Sequence, residues 1–142
     1  VVGSNAISRE LEGKLLIDYL IDFAKASKVP IVATAHIVGE FLKRGYKPAG
    51  FMSAMDIGNR LVDPEWQGID GKGPHDLAMF VALPYYMQGL ILSGLMHIAP
   101  KLRTITLDNM YHPHASWSFP NAGVKIWAEN LKVMTSKFEG GQ

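Results

Sequence analysis

Histidines, carboxylates and tyrosines fall in a few loops of this 142-residue chain, and each grouping suggests a different chemistry. His112-Pro113-His114, with His36 or Asp108 as further ligands, is the nearest approach to a metal site. Zinc needs three or four converging nitrogen, sulfur or oxygen groups, and alternate residues around a proline in an extended loop point to opposite sides. The pair makes a poor chelate. Turn capping or interface hydrogen bonding suits these imidazoles better, and His97, in an apolar run, reads as a paired core histidine. A nucleophile needs an adjacent general base, yet no serine lies in a G-x-S-x-G elbow or beside recognisable His and Asp partners. Asp70, Asp76 and Asp108 come from separate loops that no spacing unites. No catalytic residue and no metal ligand is assigned.

Ligand binding makes better use of the polar residues. In open parallel sheets, ligands lie outside the carboxyl ends of the strands, where the strand order reverses. The expected strand ends carry Gly3-Ser4-Asn5, Thr34-Ala35-His36, Pro84-Tyr85-Tyr86 and Asp108-Asn109. Gly3 permits a tight turn, and N–H groups opening the next helix can hold a phosphate. Asp108 can accept from a ribose hydroxyl, and Tyr85 or Tyr86 can stack on a flat ring. Gly3, Ser4, Asn5, His36, Pro84, Tyr85 and Asp108 are therefore the candidate cofactor-binding residues. The strict GxGxxG fingerprint is absent and no Walker lysine follows, so a nucleotide is suggested by position and not by motif. For the tyrosines, a buried ring with a paired hydroxyl or a partner surface is the competing reading, and for Asp108 it is a turn cap.

The elements that must position these residues are organised around an uncharged block. Between Asp76 and Lys101 there is no Asp, Glu, Lys or Arg. Its length would suffice for a bilayer span, but Pro84, Gln88, Gly89, Ser93 and Gly94 divide it. Leu77 to Leu83 instead reads as a central parallel strand covered on both faces, and Pro84 suits the first turn of the helix that follows, to about Ala99. Upstream, Leu11, Leu15, Leu16, Tyr19, Leu20 and Phe23 predict a helix from about Ser8 to Ser27. Ile31 to Ala33 is a strand and Ile37 to Lys43 a helix stopped by Gly45; Met52 to Val62 is a helix capped by Ser53. The Gly-rich connection Asp63 to Pro74 is of the kind that often carries function. Arg103 to Leu107 is a strand, a loop runs through Asn121, and a last helix spans about Gly123 to Phe138. Alternation of this kind predicts an α/β fold, an open, mostly parallel sheet of four or five strands with helices on both faces, Rossmann-like.

Composition narrows the function classes. One domain, residues 1–142, is expected at this length, and Val1-Val2-Gly3 resembles the tail of a strand whose beginning is missing. Fourteen basic and thirteen acidic residues are scattered, leaving no basic footprint for nucleic acid or anionic lipid. Cysteine is absent, which removes disulfides, thiolate metal sites and any iron–sulfur cluster held by this chain alone. No signal peptide is recognisable, and a cytoplasmic location with no membrane contact is expected.

Several longer strings carry a resemblance. WQGIDGKGPHDLAMFVALPYY from Trp66 and TITLDNMYHPHASWSFPN ending at Asn121 are similar to the epsilon subunit family of the archaeal carbon monoxide dehydrogenase/acetyl-CoA decarbonylase-synthase complex. Its most specific parts are the D-P-x-W-x-G-x-D-G-K-G loop at Asp63 to Gly73 and D-x-x-Y-H-P at Asp108 to Pro113; the Val-Val-Gly opening and VPIVATAH extend it over essentially the whole chain. The resemblance implies a domain like the nucleotide-binding middle domain of thiamine-dependent enzymes. It also implies an α2ε2 assembly with a large nickel–iron–sulfur subunit that carries out CO oxidation. Stabilising that subunit and assisting electron transfer to FAD are the implied roles, with no catalytic residue to carry across; self-association is left open. The alternative is an independent FAD- or NAD-binding α/β domain, acting in electron transfer or as a small-molecule enzyme.

Overall fold

Glu12 and Gly13 both take positive φ, 53° and 79°, and fold the chain back between two short antiparallel strands, β1 (Glu10–Leu11) and β2 (Lys14–Leu15). Positive φ at both central residues is the hairpin geometry that matches strand twist. The computed structural model describes residues 1–140, and in it the first long helix is α1 (Leu16–Ser27). The helix predicted from Ser8 is thus corrected: its first two turns are replaced by this hairpin, which a short 3-10 turn, Ser4–Ile7, precedes. Leu11 remains in the core that the helix face was expected to reach.

Strand β3 (Val32–Ala33), helix α2 (Val38–Lys43), strand β4 (Gly50–Phe51) and helix α3 (Ala54–Val62) follow. Ser53 caps α3 as expected, its hydroxyl accepting the Asp56 N–H at 3.1 Å, which satisfies one of the free donors of a helix start. The rest of the chain supplies β5 (Leu77–Phe80), α4 (Tyr85–Ile98), β6 (Arg103–Thr106), β7 (Trp117–Ser118) and α5 (Val124–Gly140). Pro84, with ψ of 137°, stands just outside α4 as its cap residue. The strand expected to reach Leu83 ends earlier, because Ala82 takes a left-handed φ of 66°. β7 lies inside the segment expected to be loop.

Parallel pairing joins β3 to β4, and β5 to β6 to β7. Val2 connects the two sets, bridging Ala33 on one side and Val81 on the other, both parallel. Its N–H donates to the Val32 carbonyl at 2.9 Å, and Gly3 N–H donates to the Val81 carbonyl at 2.9 Å. The resulting order across the molecule is β4, β3, Val2, β5, β6, β7. The chain is mixed α/β, with small parallel sheets and one antiparallel hairpin.

Two hydrophobic clusters cover opposite sides of β5. Met79 and Val81 pack with α1 and α5, where Trp127 and Leu131 are buried; Ala78 and Phe80 pack with Ile91, Leu92 and Leu95 of α4 and Ala54 of α3. This is the period-two alternation of a strand covered on both faces. Burying a side chain such as Phe80, fully enclosed, is worth about 1.5–3 kcal/mol. Among the described residues no helix is long and apolar enough to cross a membrane. α4 buries Gln88, Ile91, Leu92 and Leu95 but exposes His97, so the expected core histidine is on the surface. A helix in contact with the sheet along one side only leaves its last turn in solvent.

Candidate functional site

Gly3 lies where the strand order reverses, between Val2 and β5. A Cβ added there would stand 2.4 Å from the Ala82 carbonyl oxygen and 2.7 Å from a Leu83 methyl, so only glycine admits this approach. Its φ of −94° is ordinary; the requirement is space and not torsion. Asn5 N–H donates to Ala82 O at 3.0 Å and Ala6 N–H to Gly3 O at 3.2 Å. The amides of Gly3, Asn5 and Ala6 are therefore engaged within the protein, and a four-residue 3-10 turn stands where a helix start was expected. Across the junction, Ala82 N–H donates to Asp108 Oδ1 at 2.9 Å. That bond holds the strained backbone of Ala82, a conformation costing about 1–2 kcal/mol in a residue other than glycine, against the end of β6.

Asn5, Tyr85 and Asp108 come together here around a cavity of about 160 Å³, with Arg9, His112 and Trp127 completing its polar and aromatic lining. Three of the seven candidate residues thus share one site. Gly3 is buried beneath it, Ser4 and Pro84 are half-buried beside these residues in the chain, and His36 is exposed and does not line the cavity. Burial pushes the Asp108 carboxyl above its ordinary value of 3.8, while the Ala82 N–H, Gln88 and the Arg9 charge pull it back. Gln88 acts here by proximity, since its fully buried amide makes no hydrogen bond of good geometry within the described residues. His112, 2% exposed, has a buried Nδ1 without a partner among them, and burial holds its imidazole below 6.5. Tyr85 stacks on that ring with centroids 4.3 Å apart and donates its hydroxyl to the Tyr111 carbonyl at 2.7 Å.

Arg9 and Trp127 are not legible in the sequence as site residues, and His112 is legible there only as a metal ligand or a capping imidazole. Arg9 was assigned to a helix that does not form; its guanidinium lies 5.2 Å from the Trp127 ring centroid, while Trp127 Nε1–H donates to the Leu107 carbonyl at 2.7 Å. The usable signal was Gly13, an isolated glycine within a helical pattern. His112 and His114 do point apart, one buried and the other exposed. Among the described residues no three His, Cys, Asp or Glu side chains gather as metal ligands.

At the opposite ends of the strands a second pocket, about 240 Å³, is walled by Ile57, Leu61, Trp66, Ile69 and Leu77. The Asp63–Gly73 loop forms one side. Gly68 has φ of 83°, and a Cβ there would meet the Gly73 carbonyl at 2.4 Å; His75 Nε2 accepts the Ile69 N–H at 3.0 Å. These contacts account for the loop's glycines by backbone geometry.

The outer side of α4 is the other distinctive surface. Tyr86 and Leu90 are each 70% exposed, Ile98 is 65% exposed, and no charged residue occurs anywhere along the helix. Phe51 and Met55, at the start of the neighbouring α3 region, are exposed as well. Exposed apolar side chains grouped on one helix, when they form a contiguous patch, are the usual mark of an interaction site.

A mixed α/β chain with a polar cavity at its strand-end junction and an uncharged outer helix is the class that fold and surface define. Residues 20–135 match the family described as CO dehydrogenase beta subunit/acetyl-CoA synthase epsilon subunit. The chain is 34% identical over 136 residues to the acetyl-CoA decarbonylase/synthase complex subunit epsilon of Methanothermobacter thermautotrophicus, covering 94% of this chain and 74% of that protein. It is 38% identical over 113 residues to subunit epsilon 1 of the same complex in Archaeoglobus fulgidus, covering 78% and 60% respectively. With the epsilon subunit of Methanothrix soehngenii it shares 32% over 108 residues, 75% of this chain and 57% of that one. The chain belongs to this epsilon subunit family, and it spans between 57% and 74% of the length of these relatives.

Proposed function

We propose that the chain is a non-catalytic epsilon subunit of an acetyl-CoA decarbonylase/synthase complex, acting as one cytoplasmic domain that docks on the large CO dehydrogenase subunit and stabilises it. The observation that carries this reading is the outer face of α4, where Tyr86, Leu90 and Ile98 are exposed on a helix without a single charge. A lone surface helix ordinarily turns a charged or polar face to water, whereas the centre of a permanent interface is apolar and depleted of charge. Family membership supplies the partner's identity. The test is co-expression with the large subunit and affinity capture through a tag on this chain. Capture in stoichiometric amount is expected, with Leu90→Glu reducing it at least tenfold, the about 1.4 kcal/mol or more lost when a charge enters an apolar interface. A chain that stays alone on co-expression would refute the proposal.

A second reading, a dinucleotide domain assisting electron transfer to FAD, is favoured by one observation. Numbered along the chain, the parallel segments run 3-2-1-4-5-6, the order of doubly wound dinucleotide-binding sheets, with Gly3, Ser4, Asn5, Pro84, Tyr85 and Asp108 at or next to the reversal. The site does not fit the whole cofactor: about 160 Å³ is below the roughly 300–1,000 Å³ of pockets that enclose drug-sized ligands. Titration with FAD, followed by tryptophan and flavin fluorescence, decides it. Saturation below about 1 mM supports the reading, and no saturable change up to that concentration removes it.

A further inference from the structure

The strand-end cavity contains more hydrogen-bonding capacity than the protein itself uses. Tyr85, Asn109 and Trp127 direct their donors to the carbonyls of Tyr111, Ala122 and Leu107. By contrast, Asp108 accepts only the Ala82 N–H at full geometry, and through one oxygen. His112 Nδ1 and both polar atoms of the neighbouring Gln88 are buried without partners among the described residues. A buried polar group left unpaired costs about 1–3 kcal/mol, and such groups in native proteins call for an explanation. Those atoms have almost no accessible surface, so the capacity open to the cavity is the second Asp108 oxygen together with Asn5 and Arg9 of its wall.

We propose that this cavity is a binding site for a neutral vicinal diol, either a small free polyol or the ribose of a nucleoside. The charges of Asp108 and Arg9 oppose one another, so the site as a whole favours neither an anion nor a cation. What remains is a set of mixed donors and acceptors. A hydroxyl both donates and accepts: one can donate to the free oxygen of Asp108 while its neighbour accepts from Asn5 or Arg9, with the His112 ring as part of the wall. Leu16, Ala82 and Leu83 offer apolar wall to the carbon skeleton. At roughly 30 Å³ per water the space holds about five water-sized groups, the scale of a triol or pentose. This site is on a different part of the molecule from the outer face of α4, and it stands or falls independently of the docking proposal.

The experiment follows the imidazole nitrogen resonances of the whole protein by NMR during titration with D-ribose, glycerol, adenosine and 2′,3′-dideoxyadenosine. The His112 signal is assigned by its absence in His112→Gln. A saturable shift of His112 with ribose or glycerol, but not adenosine, assigns a free polyol; a shift with adenosine and not with the free polyols assigns a nucleoside. A shift with both supports the shared chemistry. In every supporting case the dideoxy compound leaves the signal in place, and Asp108→Asn, which keeps an oxygen for the Ala82 N–H, weakens binding at least tenfold. Absence of any saturable shift up to about 50 mM, a binding energy below about 2 kcal/mol, overturns the proposal. So does an equal response to the dideoxy compound, a result read on the unaltered protein.

Discussion

Replacing Gly3 by alanine tests the close approach at the centre of the sheet. The new methyl carbon would lie 2.4 Å from the Ala82 oxygen and 2.7 Å from its carbonyl carbon, far inside van der Waals contact. Neither neighbour can move freely. Gly3 N–H is bonded to Val81 O at 2.9 Å, Asn5 N–H to Ala82 O at 3.0 Å, and Ala82 N–H to Asp108 at 2.9 Å. Overpacking of this kind costs about 1–3 kcal/mol, and each hydrogen bond stretched in relieving it adds about 0.5–1.5 kcal/mol. The expected loss is ~2–4 kcal/mol, which at about 3 °C per kcal/mol for a chain of this size lowers Tm by ~6–12 °C in a calorimetric scan. Gly89→Ala is the matched control: it lies within α4 and its added Cβ meets nothing within 4 Å. There the helix propensity of alanine should stabilise by about 1 kcal/mol. A Gly3→Ala protein melting within about 2 °C of the parent would refute the steric argument. Equal losses in the two variants would show that the effect has nothing to do with the approach to Ala82.

Trp127→Phe removes the bond to Leu107 O in a site only 1% exposed, and should cost about 1–3 kcal/mol through the orphaned carbonyl alone; an unchanged urea midpoint would contradict this. In the polypeptide beginning at Val1, the terminal amine donates to Met79 O at 2.7 Å, and burial lowers its pKa from 8.0 to about 5. The unfolded chain holds this proton up to about pH 8 and the folded chain only below about 5, so stability rises with pH across that window, by at most about 1.4 kcal/mol per unit. Asp108, with its carboxyl raised above 3.8, acts in the opposite sense lower in the range. Urea midpoints at pH 5.5 and 7.5 measure the slope, and acetylating the amine should flatten it; a slope that survives acetylation has another source.

Local chemistry was read correctly where it was strong. Ser53, Pro84 and the uncharged stretch after Asp76 fix their elements through capping, a missing N–H and hydrophobic continuity, all of which act within a few residues. The failures came where a local pattern continued through a turn or where pairing was remote. Leu11, Leu15, Leu16 and Tyr19 preserve helical spacing across Glu12-Gly13, and the hairpin buries Leu11 regardless, so hydrophobic period alone cannot separate the two structures. β7 is two residues long, and its place depends on Thr106 Oγ1 donating to Ser118 Oγ at 2.9 Å and on Ser116 and Thr104 exchanging backbone and side-chain bonds. Nothing near Trp117 announces those partners. The site suffered the same limit, because Arg9 and Trp127 are separated by most of the chain and meet only through the packing of α1 on α5.

Helix α4 joins the two functional readings through two departures from the usual pattern. Its buried side carries Ile91, Leu92 and Leu95 but also Gln88, and its exposed side carries Tyr86 and Leu90, so each side holds a residue that a solitary amphipathic helix would place on the other. Burying an unpaired amide costs about 1–3 kcal/mol, and leaving a leucine in water forgoes about 1.5–3 kcal/mol of burial. Both departures have a place in the molecule's surroundings. Gln88 lies against Asp108 at the strand-end cavity, where a diol would meet its neighbours' unused donors and acceptors; Leu90 faces outward, where a charge-free partner surface would remove it from water. If one of these sides were only a packing imperfection, exchanging its residue for the expected type would stabilise the isolated protein without consequence. Gln88→Leu and Leu90→Gln should each raise or preserve stability in isolation, yet the first should weaken the response of His112 to a diol and the second the capture of the large subunit. The two losses should not cross over, since they belong to opposite sides of the same helix.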